Sequence, residues 1–100
     1  MNMQQMMAQA QKMQRELQKA LKAVEEKEFT ISKGGAVEVK MYGSNQIISI
    51  KVDEEAFDKD NKEMVEDLIA MAINEGLEQI QAEREAINEK ITGQRGGFGF

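Results

Sequence analysis

The sequence predicts an α+β fold in which a long helix, three antiparallel strands and a second long helix follow one another. Three observations carry this expectation. Apolar residues recur at helical spacing near both ends of the chain, they alternate with polar residues between Phe29 and Val52, and glycine-containing breaks divide the alternating stretch into three.

The first helix runs from Asn2 to about Glu26, a stretch without Pro or Gly in which Gln, Met, Ala, Leu and Lys predominate. These side chains lose little rotamer freedom in a helix. At about 100° per residue, Met3, Met6, Ala10, Met13, Leu17, Leu21 and Val24 share one face. Lys12, Arg15, Lys19 and Lys22 fall within an arc of about 80° on the opposite face. The helix therefore has an apolar side, suited to packing through Met6, Met13, Leu17 and Leu21, and a cationic side.

The period then changes. Phe29 and Ile31, then Val37, Val39 and Met41, then Ile48, Ile50 and Val52 alternate with polar neighbours, as half-buried strands do. Gly34-Gly35 and Gly43-Ser44-Asn45 separate them with residues that tolerate positive φ, which predicts two hairpin turns and a three-stranded antiparallel meander.

Asp53 to Asp60 is acidic and irregular, and its carboxylates suit a position before a helix N-terminus. No 12-residue window there has calcium-loop ligand spacing around a central Gly, so no metal is expected. Asp60 and Glu63 have the spacing of a capping box, which places the start of the second helix there. Its apolar positions, among them Val65, Leu68, Ile69, Ala72, Ile73, Leu77, Ile80, Ile87 and Ile91, keep helical spacing up to Thr92-Gly93. Residues 1–92 read as a single domain, and residues 93–100 as a flexible glycine-rich tail.

Lengths add a constraint. A six-residue strand spans about 20 Å, while a 28-residue helix runs about 42 Å, so both helices must overhang the sheet. Their apolar stripes continue into the overhang, where water would leave them unfavourably exposed. The stripes, with Ile80 and Ile87 among them, therefore pack on each other, on a second chain, or on both, and symmetric pairing of sheet edges or helices would make a C2 homodimer.

Composition limits the chemistry. The 100 residues include no Cys, His or Trp, which removes the usual proton shuttles, thiolate nucleophiles and zinc ligands. Ser32, Ser44 and Ser49 have no His to activate them, and Gly34-Gly35 precedes a strand where a phosphate loop would open a helix. No enzyme activity, cofactor or small-molecule substrate is expected. There is no signal-peptide pattern and no apolar run near the roughly 18 to 20 residues of a membrane span, so the expected location is cytoplasmic, away from the membrane. The net charge of -5 is unevenly spread: residues 1–24 carry +3 and residues 25–100 carry -8.

The stretches Gly35-Ala36-Val37-Glu38-Val39, Gly43, Ile50-Lys51-Val52-Asp53 and Asp60 to Asn74, with the Met/Gln-rich first helix around Lys12-Met13-Gln14, resemble the YbaB/EbfC family. The resemblance spans nearly the whole chain, and Lys62 to Asn74 is its most specific part. It implies an α-β-β-β-α fold, a tweezer-like homodimer and a bacterial nucleoid-associated role on double-stranded DNA. The cationic positions it implicates are Lys12, Arg15, Lys19 and Lys22, followed by Arg84 and Lys90 on the second helix. Met1-Asn2-Met3 departs from the glycine-rich lead of some members.

Phosphate contact by such residues would carry little sequence preference. Asn2, Gln4, Gln5, Gln9 and Gln11 have the chemistry to reach base edges, but Gln is common on any exposed helix. Phe98 and Phe100 have the chemistry to stack on bases. The competing expectation is a protein-interaction adaptor whose overhanging Met, Leu and Ile stripes hold a partner helix.

Overall fold

The computed structural model describes residues 2–93. Its elements are α1 (Met3–Glu26), β1 (Glu28–Lys33), β2 (Val37–Tyr42), β3 (Ile47–Val52) and α2 (Lys62–Thr92), so the architecture is α-β-β-β-α. Residues 94–100, most of the expected tail and both of its phenylalanines, lie outside the described residues.

Helix α1 opens on a capping box. The Asn2 side chain accepts from the Gln5 N–H at 2.8 Å, and the Gln5 side chain accepts from the Asn2 N–H at 3.3 Å. Two donors that the helix leaves unpaired are thereby satisfied. Asn2 and Gln5, two candidates for base contacts, are engaged with each other.

The sheet is an antiparallel meander in the order β1-β2-β3. Opposed pairs such as Ile31 with Val39 and Phe29 with Met41 put Phe29, Ile31, Val37, Val39 and Met41 on one buried face. Thr30 and Ser32 alternate to the exposed side. Both turns use positive φ, at Gly34 (60°), Gly35 (66°) and Asn45 (78°).

Strand β3 departs from the simple alternation. It pairs Ser49 with Lys40 but Ile47 with Met41, so Ile48 is the extra residue at that step. Helix α2 packs on β1 and β2 and leaves β3 largely uncovered, with Ile50 43% exposed. The inward side of β3 is apolar without being buried by its own chain.

The start of α2 also differs from expectation. Two short 3₁₀ turns, Glu54–Ala56 and Lys59–Asn61, fill the acidic stretch, and Asn61 occupies the N-cap without a side-chain cap bond. The Asp60–Glu63 capping box does not form because the second turn leads straight into the helix. Within that turn the Asn61 N–H donates to the Asp58 carbonyl and the Lys62 N–H to the Lys59 carbonyl, while the Asp60 N–H, the donor that the Glu63 side chain would have served, is taken by Asp58. The Asp58 carboxylate accepts from the Asp60 N–H at 2.8 Å instead.

On its sheet side α2 presents Ala72, Gly76 and Ile80, all buried. Lys33 on β1 reaches across to Glu75 at 2.7 Å. Beyond the sheet, α2 supports α1. Burial along α1 falls from Val24, which is buried, through Leu21, Leu17 and Met13, which are half-buried, to Met6 and Met3, which are exposed. Along α2 it falls from Ile80 to half-buried Ile87 and Ile91. The two helices thus run antiparallel, and the first turns of α1 reach past Thr92. That reach explains a long axis of 69 Å when α2 alone accounts for about 46 Å.

Two glycines predict different costs. A Cβ on Gly43 would lie 1.8 Å from the Val24 carbonyl oxygen, whereas one on Gly35 would meet nothing within 4 Å. Gly43→Ala is expected to destabilise by about 3 kcal/mol or more, because backbone cannot yield as a side chain can. Gly35→Ala should lose only about 1–2 kcal/mol for its left-handed backbone. Urea unfolding of the two variants checks the order, and equal losses would contradict this packing.

Candidate nucleic-acid interface

Four of the predicted cations form one surface. Lys12, Arg15, Lys19 and Lys22 are all exposed on the side of α1 turned away from α2, and none takes part in an ion pair among the described residues. They cover about 15 Å along the helix at 1.5 Å per residue. Helix geometry produces this surface directly: once Val24, Leu21, Leu17 and Met13 turn toward α2, residues half a turn away must face water.

The other two cations are placed differently. Lys90 is exposed on the last turn of α2. Arg84 is half-buried, and its Nη2 donates to the Gly43 carbonyl at 2.7 Å, joining α2 to the β2–β3 turn. Its Nε is buried with no hydrogen-bond partner among the described residues. Arg84 is thus directed into the fold, while the α1 cations and Lys90 are directed out of it.

The residues predicted for packing also divide. Ile80 is 1% exposed, Ile87 packs against the core, and Met13, Leu17 and Leu21 are half-buried. Met6 is 57% exposed, because α2 ends before it can cover that part of α1.

Sequence reasoning overlooked a second charged surface. Asp67, Glu78, Glu85 and Glu89 are exposed on α2 and fall within an arc of about 40°. The signal was present in their spacing. On the same helical wheel this arc lies roughly opposite Ile80, Ile87 and Ile91, which face α1. The four α1 cations and this α2 arc of carboxylates therefore point in opposite directions.

A further apolar surface is exposed elsewhere in the fold. Ile47, Ile48 and Ile50 on β3 are exposed, as is Phe57 at 81%. Ala56, Phe57 and Val65 line an apolar groove of about 440 Å³. Among the described residues no cluster of His, Cys, Asp and Glu could hold a metal ion, and no helix is long and apolar enough to cross a membrane.

The model of the YbaB/EbfC DNA-binding family matches residues 1–95. The chain is 48% identical over 97 residues to a nucleoid-associated protein of Agathobacter rectalis, covering 96% of this chain and 86% of that protein. It is 46% identical over 96 residues to a nucleoid-associated protein of Clostridium novyi, covering 93% and 82%. A third relative, a nucleoid-associated protein of Lachnoclostridium phytofermentans, is 39% identical over 99 residues, covering 98% and 83%. The chain belongs to the YbaB/EbfC DNA-binding family, which is not a family of enzymes.

Proposed function

We propose that this protein is a nucleoid-associated DNA-binding protein of the bacterial cytoplasm, acting as a homodimer on duplex DNA with little sequence preference. It would affect nucleoid organisation and, through it, gene expression. The observation that carries the reading is the set of four outward cations on α1, none in an ion pair among the described residues, in a chain of the DNA-binding family. Lysine and arginine bind duplex by displacing counterions condensed on its phosphates, a term indifferent to base sequence. Lys90 is a further phosphate contact in this reading.

The dimer reading rests on β3. That strand is a sheet edge whose inward side, at Ile47 and Ile50, is left exposed by α2. An apolar sheet edge invites pairing, and a second copy supplies a matching edge under twofold symmetry. Two molecules joined there would carry two basic arms, which suits a grip on an elongated polyanion.

The exposed methionines Met3, Met6 and Met7 favour a second reading, an adaptor that holds a partner helix by its thioether side chains. Salt dependence separates the two. Binding through phosphates weakens steeply with salt, each neutralised phosphate contributing about -0.9 to the slope of log affinity against log salt.

Replacing Lys12, Arg15, Lys19 and Lys22 together by Gln is expected to abolish duplex retardation while leaving helicity unchanged, since all four side chains are exposed. Titration of several unrelated duplexes across a salt series makes the measurement, and undiminished affinity would remove the assignment. Ile50→Asp should convert the dimer to monomer in sedimentation analysis. An unchanged mass would exclude β3 as the interface.

A further inference from the structure

Helix α1 packs along α2 from Met13 to Val24, and its C-terminal end is tied to the sheet at one junction. The Gly43 N–H donates to the Lys27 carbonyl at 2.9 Å, and the Lys27 N–H donates to the Val24 carbonyl at 3.0 Å. The Gly43 backbone lies so close to the Val24 carbonyl that no side chain fits between them. From α2, Arg84 holds the Gly43 carbonyl at 2.7 Å, and the neighbouring Glu83 accepts from the Lys27 ammonium at 2.6 Å. That ammonium stands 5.2 Å from the Phe29 ring centroid. The end of α1, the β2–β3 turn and the middle of α2 are thus tied by successive polar contacts.

These ties differ in strength. Lys27 is 53% exposed at its side chain, so its bond to Glu83 is screened by water. Arg84 makes a partly buried, charge-assisted hydrogen bond, and its planar guanidinium holds a fixed direction. A cation beside the end of α1 is also favoured by the partial negative charge of a helix C-terminus.

We infer that Arg84 is a positioning residue for DNA binding: together with the packing of α1 on α2, its bond to the Gly43 carbonyl holds the direction in which α1 leaves the sheet, and so where the cationic stripe lies. This role rests on reading that stripe as the phosphate-binding face. Leverage gives the contact its importance. Lys12 is 15 residues from Lys27, about 22 Å at 1.5 Å per residue, so a 10° change in direction moves it by about 4 Å. Successive phosphates of one strand advance by about 3.4 Å along the duplex, so slack of this size puts the stripe out of step.

The consequence differs from that of a direct phosphate contact. If loss of the Arg84 bond leaves the binding-competent direction about one-tenth populated, apparent affinity falls about tenfold. The number of phosphates neutralised in the bound state stays the same, so the salt slope does not change. A direct contact would instead reduce the slope by about 0.9 for each protomer that loses it.

The experiment compares the full chain with Arg84→Gln and Arg84→Lys, in duplex binding across a salt series and in spin-label distance measurements. The chain has no Cys, so Gln9→Cys on α1 and Ser32→Cys on β1 accept labels selectively, with labelled protein diluted into unlabelled protein. Arg84→Gln is expected to broaden the distance distribution and to lower affinity about tenfold at unchanged salt slope. Arg84→Lys, which keeps a donor and a charge, should recover part of both. An unchanged distribution overturns the inference, as does a shallower slope, which would make Arg84 a phosphate contact. If Arg84→Gln fails to fold, Arg84→Lys decides: a broadened distribution with a smaller, slope-preserving loss supports positioning, and parent-like behaviour in both measurements overturns it. Failure of the unsubstituted protein to bind duplex would count against the DNA reading itself, while the distance measurements would still report whether Arg84 orients α1.

Discussion

The close approach of α2 to the sheet at Gly76 governs much else in this molecule. A Cβ at Gly76 would lie 2.4 Å from the Met41 sulfur, and the Met41 side chain is fully buried. The helix can rest there only because that position has no side chain, with Ala72 one turn before it and Ile80 one turn after. This contact places α2 over β1 and β2. With its axis so placed, the helix cannot also cover β3, and its second half must project beyond the sheet.

The projecting half of α2 is what α1 packs on. Because only the portion of α1 from Met13 to Val24 finds this support, its cations are turned outward by exclusion. The resulting charge separation resolves the tension between a net charge of -5 and a polyanionic partner. Packed helices lie 8–10 Å apart axis to axis and are about 10–12 Å wide, so the outer faces of the arm stand on the order of 20 Å apart. The Debye length at physiological salt is about 8 Å, so under the proposed reading a duplex at α1 would sense the local cations and only weakly the carboxylates behind them.

Much of the architecture was legible because it is written in local periodicity. The order of elements, both turns and the two-sided character of α1 follow from residues at most a few positions apart. Strand β3 was only half legible: the apolar alternation of Ile48, Ile50 and Val52 is in the sequence, but the extra residue at Ile48 depends on how β3 meets Lys40 and Met41 on its neighbour. The beginning of α2 was misread for a related reason. Asp60 and Glu63 have cap spacing, but Asp58, capping the preceding 3₁₀ turn, had already engaged the Asp60 N–H that the Glu63 side chain would bind.

Arg84 shows where the boundary lies. Among charged residues on a helix, spacing alone cannot tell one that faces a ligand from one that faces a carbonyl 41 positions away. The sequence by itself determined two amphipathic helices, an alternating three-stranded meander and a cationic stripe opposite an apolar one, because side-chain direction within a helix or strand is set by backbone geometry. Tertiary structure alone decided that Gly76 seats α2 on Met41, that β3 remains uncovered, that α1 outruns its support at Met6, and that Arg84 clasps Gly43. Each of these depends on distances between segments far apart in the chain, which no local period records.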